Sequence, residues 1–171
     1  MSPQPEPWLD GPVPGIPPVL QPAAHALLQV RQDVRAHASE ISAGDLWKSR
    51  GAASAGFHLL HLAGSLERLF TYARGESLND EQKAAVRTEA APHPEIGVDA
   101  LVAIVDRAVE RALDQLRSTD PASVFAERRV GRAGLPSTVI GCLFHGAEHS
   151  TRHVGQFITT VKLMNAGGTE V

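Results

Sequence analysis

Residues 98–118, "VDALVAIVDRAVERALDQLRS", decide the architecture. Leu101, Ile104, Val105, Ala108, Val109, Ala112, Leu113 and Leu116 recur every three or four residues, the spacing that stacks side chains on one face of an α-helix. Asp106, Arg107, Glu110, Arg111 and Asp114 take the other face. Such a stripe must be buried against other elements, and Asp120-Pro121 stops the helix.

Upstream, residues 17–38, "PPVLQPAAHALLQVRQDVRAHA", put Leu20, Ala24, Leu27, Leu28 and Val34 on one helical face, with Pro22 tolerated in the first turn. A second helix reads through "AASAGFHLLHLAGSLERLFTYARG", residues 52–75, with a stripe of Phe57, Leu60, His61, Gly64 and Arg68 and Gly75 as its stop. A short helix follows at "NDEQKAAVRTEA", residues 79–90, capped by Asn79 or Asp80. Downstream of residue 120, "ASVFAERRVGRAGLP" reads as a loop with Gly131 and Gly134 at turns. Ser137 or Thr138 then caps a last long helix, "TVIGCLFHGAEHSTRHVGQFITTVKLM". Strand signals are nearly absent. Four long helices and one or two short ones predict an all-α, up-down four-helix bundle over residues 20–171. Residues 1–19 carry seven prolines and form an extended arm whose Trp8, Leu9, Val13 and Ile16 favour packing on the body.

Composition bounds the function. The chain has 171 residues, net charge −3 and no Lys/Arg block, so nucleic-acid binding lacks its electrostatic footprint. No apolar run approaches eighteen residues, and the N-terminus has neither a basic n-region nor an apolar h-region, so neither a membrane span nor a signal peptide is expected. Cys142 is the one cysteine; it lies in the apolar "VIGCLF" and reads as an inert core residue in a cytoplasmic protein.

The last helix holds the chemistry. In "HGAEHSTRHVGQ", His145, His149 and His153 stand four residues apart on one slanted row. His149 and His153, at i and i+4, are spaced to ligate one ion, and a third donor must come from another helix. His61, set in the stripe of the second helix, needs a hydrogen bond or a metal to offset its desolvation. His58 is rotated away from that stripe and reads as peripheral. A solvated or polar-core histidine row has the same spacing, so periodicity alone leaves both readings open.

"FHLLHLAGSLERL" followed by "HGAEHSTRHVGQ" resembles the DinB/YfiT superfamily, in which a His of the second helix and a His-x3-His before Gly-Gln on the last helix bind a divalent metal. "PWLDGPVPGIPPVLQPAAHALLQ" and "VGRAGLPSTVIG" resemble one subgroup of it. The resemblance covers roughly residues 8–160 and implies an up-down bundle with a long crossover. It implies His61, His149 and His153 as ligands of zinc, nickel or iron. His145, Gln156 and His25 are candidates to support that site, with plain structural roles as the alternative for the two histidines, and Glu148 reads as a salt-bridge residue. Three imidazoles leave a coordination position open, as catalytic sites do. The resemblance therefore implies an enzyme activating a low-molecular-weight thiol or water, of S-transferase or hydrolase type, acting on a small molecule. It also implies a homodimer paired through bundle faces. The alternative is a non-enzymatic metal-binding or interaction bundle.

Overall fold

The computed structural model describes residues 5–166; the first four residues of the arm and the C-terminal 167–171 lie outside them. Four long helices carry the core: α1 (Gln21–His37), α2 (Ala55–Ala73), α4 (Val98–Ser118) and α5 (Val139–Ala166). A nine-residue helix, α3 (Asp80–Thr88), lies in the crossover between α2 and α4. The fold is an all-α bundle with an N-terminal arm, as its periodicities require.

Around the bundle, α1 packs on α5, α5 on α2, α2 on α4 and α4 on α1. Arg31 pairs with Glu110 and Arg35 with Asp106, so α1 and α4 run in opposite directions. Glu67 pairs with Arg111 and Arg74 with Gln115, so α2 and α4 run the same way. Parallel neighbours joined in sequence need a long return, and the crossover bearing α3 supplies it.

The α4 stripe is buried nearly as its spacing demands: Leu101, Val105, Val109, Leu113 and Leu116 are at most 1% exposed, while Ile104 sits at the edge. Burying each such side chain contributes about 1.5–3 kcal/mol. In α2 the core face differs from the stripe expected from sequence. Leu59, Leu62, Ala63, Leu66 and Phe70 face the core, whereas Phe57, Leu60, His61, Gly64 and Arg68 are only half-buried. The reason is that α2 is apolar almost all round, so its spacing supports two overlapping faces and neighbours choose between them. At Gly146 α5 packs tightly on α2: a Cβ there would lie 2.9 Å from the Phe70 ring.

A second correction concerns residues 122–136. Much of this expected loop is an antiparallel hairpin, β1 (Glu127–Val130) with β2 (Leu135–Thr138), in register Glu127 to Thr138 and Val130 to Leu135. Gly131 and Gly134, at φ +70° and +62°, make its turn. "ERRV" has no alternation of apolar residues to announce a strand. Its anchor is long-range: Arg128 Nε donates to the Ala73 carbonyl at the end of α2, 2.7 Å away.

Local chemistry sets the remaining ends. Asn79 and Gln82 form a reciprocal capping box on α3. The Thr138 hydroxyl accepts from Gly141 N at the start of α5, and Gly75 closes α2 at φ +80°. In the arm, the Gln21 side chain accepts from Val13 N and donates to the Val13 and Ile16 carbonyls, while Ile16 and Leu20 are buried. Trp8 and Leu9 stay exposed.

Candidate metal centre

His61 projects from the second turn of α2, and His149 and His153 project from consecutive turns of α5 across the same contact. One ring nitrogen from each lies within 4.8 Å of the other two. His61 Nε2 and His149 Nε2 are 3.0 Å apart. The His153 ring centre is 4.5 Å from that of His61 and 4.6 Å from that of His149. Two nitrogens bound at about 2.1 Å to one ion and subtending 90–110° stand about 3.0–3.4 Å apart, so the spacing of His61 and His149 suits a shared cation.

Protonation states fit the same purpose. Glu89, the residue just after α3, accepts from His61 Nδ1 at 3.0 Å. A carboxylate has no proton to give, so His61 carries its own on Nδ1 and presents the Nε2 lone pair to His149. Arg68 donates to both Glu89 oxygens, at 3.0 and 3.2 Å. Burial alone would raise the Glu89 carboxyl, but the His61 hydrogen bond and the Arg68 charge outweigh it and hold the carboxyl below its ordinary range. His153 Nδ1 lies 3.1 Å from His58 Nδ1, a spacing that needs one proton between the two rings. His149 Nδ1 is buried without a hydrogen-bonding partner.

Electrostatics favour the neutral form of His153, His149 and His58. Burial first, then the charges of His61, His149, His58 and Arg152, lowers His153 to about 4. His149 is lowered by burial and by His61, His145 and Arg152, against an opposing pull from Glu148. His58 is lowered by burial and by His61. Neutral imidazole is the form that ligates metal. Phe57 stacks on His61 at 5.2 Å and meets His153 edge-on at 6.3 Å, walling the cluster from one side.

Other expected residues fall elsewhere. His25 Nε2 meets the Gly11 carbonyl at 3.0 Å and ties the arm to α1. His145 is exposed and pairs with Glu148 at 3.3 Å, though its ring centre is 5.5 Å from that of His149. Glu148 also pairs with Arg152, which fits its reading as a salt-bridge residue. Gln156 lines a groove of about 690 Å³ that opens beside His58 and His153, with Arg152, Thr159, Thr160 and Leu163. Two contributors are not among the site residues expected from sequence. His58, peripheral by its rotation from the expected stripe, is instead 5% exposed and touches His153. Glu89 had no signal, because its contact depends on where α3 docks.

The sequence model of the DinB superfamily matches residues 26–157. The chain belongs to the DinB superfamily. No curated protein matches the chain. The matched span contains α2, the crossover and every histidine of the cluster. In this DinB member the grouped histidines constitute a candidate site for a divalent metal, formed where α2 and α5 meet. Among the described residues no helix is long and apolar enough to cross a membrane.

Proposed function

We propose that this DinB protein binds one divalent cation, zinc, nickel or iron, through His61, His149 and His153, and acts as an enzyme on a small molecule. The observation that carries the reading is the convergence of three ring nitrogens within 4.8 Å, two of them 3.0 Å apart. A divalent cation held by three neutral imidazoles retains an open position and brings the pKa of a water or thiol toward neutrality. Glu89 keeps the His61 lone pair on Nε2, and Phe57 limits water on one side. The groove beside His153 offers Arg152 and Gln156 to hold polar or anionic ends of a substrate, and Phe57 and Leu163 to hold apolar ones. Thiol S-transfer and hydrolysis both use this arrangement. A cytoplasmic setting, in which low-molecular-weight thiols are kept reduced, belongs to the same proposal.

Metal analysis of purified protein, followed by a screen of thiol-transfer and hydrolysis substrates on the loaded form, tests the reading. Stoichiometric metal in the wild type and its loss in His153→Ala are expected. Metal-free protein after incubation with zinc, nickel and iron leaves only a helical interaction module. Bound metal without turnover of any substrate leaves a metal-binding bundle.

A homodimer belongs to the same proposal. Phe144, 57% exposed, borders an apolar groove with Pro22, Ala23, Ala26 and Ala147 between α1 and α5. Light scattering should give twice the chain mass, and Phe144→Asp should halve it. A monomeric wild type removes this part.

A further inference from the structure

Helix α3 contributes no buried residue. Between it and the bundle lie two hollows, one of about 420 Å³ bordered by Glu81, Gln82 and Ala85, the other of about 260 Å³ bordered by Ala85, Thr88 and Glu89. Two polar links hold it down. At its start, Gln82 Nε2 donates to Thr71 Oγ1 of α2 at 2.9 Å. At its end, Glu89 joins His61 and Arg68, with the Arg68 and Glu89 side chains each only 12% exposed. The absence of a side chain at Gly64 makes room for this junction: a Cβ there would lie 2.8 Å from Arg68 Nη1 and 3.4 Å from Glu89 Oε2.

An element resting on two polar links above hollows is readily loosened, since few apolar contacts oppose its opening. One of those links ends on the imidazole whose opposite nitrogen faces His149. A cation at Nε2 draws electron density from the ring and makes Nδ1–H a stronger donor, while the carboxylate makes the ring a better ligand. We propose that Glu89 positions His61 for the cation and that α3 is coupled to it, docking more firmly when the cation is held and raising cation affinity when docked. The proposal rests on His61 being a ligand. Reciprocity follows from linkage: whatever factor the cation adds to α3 docking, α3 docking adds to cation affinity.

The test is hydrogen exchange of residues 80–91 with and without zinc, together with zinc affinity by chelator competition, on the full chain. Zinc should slow exchange across α3 by about 5-fold or more in the wild type. Glu89→Gln should weaken zinc by about 10–100-fold and abolish that slowing. Gln82→Ala, at the other end of α3 and touching no histidine, should also weaken zinc, by a smaller factor, because α3 is docked less of the time. This second variant separates coupling from a purely local effect at His61 and leaves the bundle core intact. Wild type that binds zinc with unchanged exchange in α3, or Glu89→Gln with undiminished affinity, overturns the coupling while the metal centre stands. Wild type that binds no zinc overturns the metal centre itself.

Discussion

His153 meets His58 on one side and the His61–His149 pair on the other, so its truncation should be felt first in metal content. His153→Ala should lose stoichiometric zinc by elemental analysis while remaining helical by circular dichroism; full retention of zinc contradicts the ligand assignment. The same ring sets a pH dependence. Burial, then the neighbouring charges, lowers His153 to about 4 in the folded chain from its ordinary 6.5, so between those values the unfolded state binds more protons. Stability of the metal-free protein therefore falls as pH drops through 6.5 toward 4, and His153 accounts for about 2 kcal/mol of loss by pH 5. Urea unfolding in chelator at pH 7.5 and 5 measures it, and an equal or higher midpoint at pH 5 contradicts a buried, neutral ring. At this scale His149 and His153 were legible because four-residue spacing on a helix is a geometric statement. His61 was legible through the family resemblance, whereas the apolar stripe it was also read from is not the face that α2 buries. His58 and Glu89 were not, since the first depends on the rotation of α2 and the second on docking across the crossover.

Where α2 packs on α5, the missing side chain at position 146 leaves room for the Phe70 ring, and the histidine cluster spans the same pair of helices. Gly146→Val should drive a side chain into the Phe70 ring and destabilise the chain by about 1–3 kcal/mol. Gly155→Ala, on the same helix with open space around it, should be neutral or stabilising by up to about 1 kcal/mol. Thermal melts of the two variants distinguish a packing requirement from a general intolerance of side chains in α5; equal melts contradict the packing account. Element boundaries were readable wherever a cap or stop is local, as at Asn79, Thr138 and Gly75. The hairpin was not readable, because "ERRV" is held by its partner strand and by the Ala73 carbonyl rather than by a pattern of its own.

Across the whole molecule, the bundle followed from four amphipathic segments that have nowhere else to bury their stripes, and the order in which they pack followed only from the coordinates. Because the cluster joins α2 to α5, a cation there binds the folded chain and not the unfolded one. Zinc at one hundred times its dissociation constant should stabilise the protein by about 2.7 kcal/mol, raising the melting temperature. His149→Ala should not show the rise. The central claim, that two helices present three imidazoles to a single ion, is tested most directly by X-ray absorption spectroscopy of the zinc-loaded protein. The account predicts one zinc per chain with three imidazole nitrogens at about 2.0–2.1 Å and a fourth, non-protein ligand. A spectrum with one imidazole or none, or with four protein donors closing the sphere, contradicts it.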